Sequence, residues 1–123
     1  MDGMIELTNG AARARFARRG AEWRQWSVAG AEFLWTPDPA FWSETAPVLF
    51  PVCGWTRGGC MRVNGETFPL GLHGFARAMD FELAAHGASH ATFVLRDSAA
   101  GVEVFMVRPD PARAGRPAGD PAA

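Results

Sequence analysis

The chain has 123 residues, 12 basic and 13 acidic, and a formal net charge of −1. That balance gives no bulk attraction to nucleic acid or an anionic membrane, and 48% hydrophobic residues with five Trp and nine Phe exclude wholesale disorder. No apolar run approaches the roughly 20 residues of a spanning helix, and Met1-Asp2-Gly3-Met4-Ile5-Glu6 lacks the basic start and apolar stretch of a secretory signal; a cytoplasmic address is expected.

The first segments read as short strands. Met4 to Thr8 alternates and ends at Asn9-Gly10. Ala12 to Ala17 sets Arg13 and Arg15 against Ala14 and Phe16, then breaks at Gly20. Glu22 to Val28 is rich in strand formers, and Glu32 to Trp35 follows so closely that Ala29-Gly30-Ala31 predicts a hairpin turn. Period-two stretches punctuated about every 8–12 residues are the pattern of an all-β sandwich or barrel.

Between Trp35 and Trp42, Thr36-Pro37-Asp38-Pro39 bars regular structure, because each Pro removes a donor and restricts its predecessor. The sharpest local signal is Asn64-Gly65 between Met61-Arg62-Val63 and Glu66-Thr67-Phe68. Both central residues of a type I′ turn need φ > 0, which Asn and Gly tolerate best. A second hairpin is predicted from Asp80–Ala84 to Ala91–Arg96 through His86-Gly87-Ala88-Ser89. No segment shows convincing helical periodicity. The body is β.

The tail differs in kind. Residues 109–123 hold no apolar side chain larger than Ala except Pro, too little buried surface to offset ordering entropy. The chain therefore divides into a β body over 1–107 and a disordered Pro/Ala/Gly/Arg tail over 108–123. All 12 basic residues are Arg and Ala is abundant, the mark of GC-rich coding. In such DNA a shifted reading frame yields this composition, so one expectation is a frameshift after about Asp97; the other is a natural flexible tail.

Three stretches, read together, resemble the aldose 1-epimerase (galactose mutarotase-like) family, in its branch related to hexose-6-phosphate mutarotases. They are Gly30–Trp35 running into Pro39-Ala40-Phe41-Trp42; Ala46-Pro47-Val48-Leu49-Phe50-Pro51-Val52-Cys53-Gly54; and His73-Gly74-Phe75-Ala76-Arg77 followed by Phe81-Glu82-Leu83 and Phe93–Asp97. The resemblance spans roughly residues 4–98. It implies a large antiparallel β-sandwich, of which this chain supplies an incomplete, N-terminal part, since one β domain of that kind commonly takes about 200–250 residues.

The resemblance also implies a chemistry. A mutarotase interconverts the α and β anomers of an aldose: a base takes the C1 hydroxyl proton, an acid protonates the ring oxygen, the ring opens, and reclosure after rotation gives the other anomer. The implied ligand is a small-molecule sugar, free or phosphorylated, with no cofactor and no metal. In the family the base is a Glu close to the C-terminus and the acid a His in the middle, and neither position is matched here. His73 matches another active-site His, which hydrogen-bonds the sugar near its ring oxygen, and is the catalytic candidate. Arg77, Arg57, Gly74, Phe75 and Trp55 are the substrate-binding candidates. Arg77 matches a pocket Arg whose planar fork suits phosphate oxygens. A family Arg commonly follows the Gly matching Gly54, but Trp55 stands there, with Arg57 two residues on as its substitute. The expected function is an aldose 1-epimerase with little or no activity as this chain; a carbohydrate-binding module, a non-functional fragment, or a subunit that completes its sheet with another chain are the alternatives.

Structural roles compete for the same residues. A lone His in a β protein is commonly structural, and an Arg such as Arg77 is often an ion-pair partner. Trp35, Phe41 and Trp42 could stack on sugar rings, although aromatics at this density more often form core. His86 and His90 have a zinc-ligand spacing, but Gly87 and Ser89 between them indicate a loop, and no third ligand is evident. Cys53 and Cys60 lack a CxxC spacing and are expected as reduced thiols. Arg13, Arg15, Arg18 and Arg19 form a basic cluster that alternation with Ala14 and Phe16 assigns to a solvated strand face. Asp80, Glu82 and Asp97 have no evident partner and are given no catalytic role.

Overall fold

In a computed structural model of the chain, residues 3–96 are described. The boundary expected at 107, the tail over 108–123 and Asp97 lie outside them. The strands of the described residues pair antiparallel, with one isolated parallel bridge at Phe50↔Gly74 and two single turns of 3-10 helix at Arg57–Gly59 and Ala76–Ala78. No helix among them is long and apolar enough to cross a membrane.

The first four strands make one sheet. Strands β1 (Ile5–Asn9), β2 (Ala12–Phe16), β3 (Trp23–Val28) and β4 (Ala31–Glu32) lie in chain order, each antiparallel to its neighbour. The pairing Ile5↔Phe16 through Asn9↔Ala12 turns Ile5 and Ala14 inward, both buried, and leaves Glu6, Arg13 and Arg15 outside. Alternation sets this division, because successive side chains of a strand leave on opposite faces. Glu6 accepts from Arg15 Nε at 2.9 Å and lies 3.8 Å from Arg13 Nε, so half of the basic cluster is a solvated face whose charge is offset in part across the strand pair. A bulge between Arg15 and Phe16 aims Phe16 at Trp23, stacked at 5.7 Å, and at Phe93, tilted at 5.9 Å. Bulges re-aim a side chain in this way.

The fourth strand is shorter than its sequence suggests. Ala29 and Gly30, at φ 50° and 82°, make the turn themselves, so β4 pairs as Val28↔Ala31 and Ser27↔Glu32 and then stops. Beyond it Asp38 organises a compact loop: its carbonyl accepts from the Phe41 and Trp42 amides, and its Oδ1 from the Ala40 amide at 2.9 Å. Trp35 Nε1 closes that loop on the Trp42 carbonyl at 3.0 Å. Pro37 and Pro39 keep it from lengthening into a hairpin, and Trp35, Phe41 and Trp42 stand exposed rather than in the core that their density suggested.

The later strands form two separate hairpins, β5 (Cys60–Val63) with β6 (Glu66–Pro69) and β7 (Glu82–His86) with β8 (Ala91–Val94). Asn64 and Gly65 sit at φ 50° and 81° between β5 and β6, as a primed turn requires. Strand β7 starts and ends two residues later than predicted, with a register shift between Leu83 and Ala85. His86 is therefore a strand residue, its Nε2 3.4 Å from the Glu6 carbonyl, and Glu82 pairs with Arg96 at 2.9 Å. Residues 79–81 lace onto the first sheet: the Gly20 amide donates to Met79 and the Phe81 amide to Arg18. Among the described residues the buried apolar side chains are Ile5, Ala14, Leu70, Ala76 and Phe81.

Candidate functional site

Two loops meet at one corner. His73 and Gly74 are consecutive left-handed residues, at φ 61° and 74°. Asn, Asp and His are the non-glycine residues that enter this region most readily, whereas most L-residues there cost about 1–2 kcal/mol. The double reversal folds residues 73–76 back onto 50–54. The Phe75 and Ala76 amides both donate to the Phe50 carbonyl, at 3.0 and 3.1 Å, and the two phenyl rings meet edge to face at 6.1 Å. The Phe50–Pro51 peptide is cis. Gly74 is required here: a Cβ on it would overlap the Phe50 carbonyl and the Pro51 ring.

That corner fixes the state of one imidazole. The His73 amide donates to the Gly54 carbonyl at 2.9 Å, and the Gly54 amide donates to His73 Nδ1 at 2.8 Å. An N–H pointing at Nδ1 requires a lone pair there, so the neutral ring carries its proton on Nε2. The half-buried His73 is thus an oriented N–H donor whose backbone and side chain are held by the same glycine. A donor so placed suits an ether or hydroxyl oxygen.

Arg77 is held by different contacts. Its NH1 lies 3.3 Å from Glu44 Oε2, both side chains about a third exposed. A pair this open contributes at most ~1 kcal/mol. Its main value is aim, because one contact leaves other donors of the fork available. Glu44 belongs to a strap, residues 43–46, which is tied down by Glu22. Glu22 is only 8% exposed. It accepts from the Thr45 amide at 2.5 Å and from Arg24 NH1 at 3.1 and 3.2 Å, and the same Arg24 nitrogen donates to the Ser43 carbonyl at 3.0 Å. The Trp23 amide completes the strap by donating to Ala46. Behind it, a Cβ on Gly20 would meet the Arg77 carbonyl at 2.8 Å, so the absence of a side chain at Gly20 lets Arg77 approach the sheet.

The remaining candidates divide. Trp55 is joined directly to Gly54 and is highly exposed beside the His73 corner. Phe75 is engaged with Phe50. Arg57 is on the first 3-10 turn, lining a cleft of about 510 Å³ with Gly58, Cys60 and Arg62. Cys53 and Cys60 are free. Among the described residues no group of three His, Cys, Asp or Glu side chains could hold a metal ion. The sequence reading missed Glu22 and Glu44, because the contacts that bring them to the site, Glu22 with the Thr45 amide and Glu44 with Arg77, span more than 20 residues and leave no local signal.

The antiparallel sheets are those of a galactose mutarotase-like fold. Solved relatives show it: a galactose mutarotase-related enzyme from Lactobacillus acidophilus, 33% identical, matches 84% of this chain and 35% of its own length with a TM-score of 0.80. A galactose mutarotase-like protein from Lactobacillus casei, 35% identical, matches 85% and 36% at the same TM-score. The aldose 1-epimerase family model matches residues 3–108, and the chain belongs to that family. The protein LacX of Lactococcus lactis, chromosomal form, is 34% identical over 82 residues. The chain spans about a quarter of that relative's length, 27%, and about a third of the solved structures'; the matched part is N-terminal in them.

Proposed function

We propose that this chain contributes the sugar-orienting side of an aldose 1-epimerase site, acting in the cytoplasm on a hexose or hexose phosphate, and that by itself it turns over little or no sugar. The observation that carries this is the His73–Gly54 pairing, which presents Nε2–H as a fixed donor. In mutarotation the C1 hydroxyl gives its proton to a base while the C1–O5 bond breaks and O5 gains a proton. The C1–C2 bond then rotates, and the reverse steps close the ring on the other face. A fixed N–H beside O5 favours the direction in which charge builds there, with no reorganisation at the moment of reaction.

Arg77 is the group for a phosphate or for hydroxyls at the far end of the sugar, with Gly74, Phe75 and Trp55 shaping the wall beside His73 and Arg57 a peripheral cation. Two groups of separated proton affinity must flank the anomeric centre, and the family resemblance puts the base and the principal acid on residues that this sequence does not match. Polarimetry on freshly dissolved α-D-glucose and its 6-phosphate tests the reading: the optical rotation should relax at the buffer rate with the chain present. An enzyme-like rate that disappears in His73→Ala would contradict it.

A further inference from the structure

The ion pair between Glu44 and Arg77 joins two segments whose backbones are both fixed. On one side, the residues around Glu44 are tied to the start of β3. The Ser43 carbonyl accepts from Arg24, the Thr45 amide donates to Glu22, and the Trp23 amide donates to the Ala46 carbonyl across an antiparallel bridge. On the other side, Arg77 lies in the 3-10 turn Ala76–Ala78, in which Ala76 is fully buried and its carbonyl accepts from the Met79 amide. Glu44 is therefore held where its carboxylate meets the guanidinium. Among the described residues neither side chain has a second polar partner.

That pairing sets the charge that a ligand meets. Glu44 Oε2 takes one NH1 donor at 3.3 Å, which leaves other N–H groups of the fork for an incoming oxygen. It also places a negative charge against the only cation of the pair. A sugar hydroxyl is neutral and is little affected. A phosphate group carries a charge of about −1.5 to −2 near neutral pH, so it is attracted by Arg77 and repelled by Glu44 together. An unfavourable charge of this kind is a standard means of discriminating between related ligands. We propose that Glu44 is a specificity-determining residue: as a resident anion on Arg77, it holds down the preference for phosphorylated over free sugar that Arg77 creates. Phosphate still adds to binding, but by less than an unpaired guanidinium would give. The proposal deepens the reading of Arg77 as a sugar-facing group and rests on it.

The test is calorimetric titration of the 123-residue chain and of Glu44→Gln with glucose and glucose 6-phosphate, read as the ratio of the two dissociation constants. Gln keeps an acceptor for Arg77 and removes the charge. The ratio should move toward the phosphate by about tenfold, the size expected of one charge acting on a near-dianion in a partly solvated site. A variant that merely loosened the loop would weaken binding, not strengthen it for one ligand, and amides of β1–β3 should stay protected. A move of about threefold or more toward the phosphate supports the proposal; a smaller one, none, or a move toward glucose overturns it. Failure of the underlying reading looks different: neither sugar gives saturable heat with the unaltered chain, and the proposal is then overturned along with that reading.

Discussion

The sheet of β1–β4 and the segment that follows it, residues 33–55, both carry Trp and Phe in sequence and are opposite in structure. In the sheet, neighbours in the chain are neighbours in space, and Ile5, Ala14 and Ser27 are buried. In the segment, the Asp38 loop satisfies its own backbone and leaves Phe41 and Trp42 outside. The difference lies in where each region's partners are. A strand pair carries its hydrogen-bond partners with it, whereas the Asp38 loop closes on its own backbone and leaves its rings outside. The His73 corner stands between these cases, since residues 73–76 and 50–54 cover each other.

Substitutions graded by effect can break or sharpen that contrast. Phe16→Ala removes the ring that joins β2 to Trp23 and Phe93 and should cost about 3 kcal/mol, read as a lower urea midpoint. Glu22→Ala strips the acceptor from the Thr45 amide and Arg24. About 2 kcal/mol is expected by the same measurement, with Glu22→Gln retaining part of it because an amide oxygen still accepts. Asn64→Ala puts a less tolerant residue at φ 50° and should cost about 1 kcal/mol, seen as faster amide exchange in β5 and β6 and not in β1–β3. Phe41→Ser, at an 83% exposed position, should leave the urea midpoint of the isolated chain within about 0.5 kcal/mol of its original value. A cost as large as that of Phe16→Ala would show that the 33–55 segment is part of the core, and would erase the contrast.

Local chemistry made much of the fold legible. Asn64-Gly65 announces its hairpin because turn geometry is decided by the residues in the turn. Alternation around Arg13 and Arg15 foretells the solvated face because the strand period is two. What stayed hidden depends on distance along the chain. Strand β4 ends early because its continuation turns into the Asp38 loop, and the exposed aromatics read as core because composition carries no information about which surface meets which. The candidate site divides the same way. His73 and Arg77 stand out as a motif, while Glu22, Glu44 and the Gly54 amide act from 19 to 33 residues away, where no spacing rule reaches.

The central claim is that the His73–Gly54 corner is built to hold a sugar oxygen, and calorimetric titration of the chain with glucose and glucose 6-phosphate tests it most directly. Saturable heat is predicted for the unaltered chain, lost in His73→Ala while amides of β1–β3 remain protected, and larger for the phosphate in a way that Arg77→Ala removes. No saturable heat with either sugar, or equal heat in His73→Ala, would contradict it.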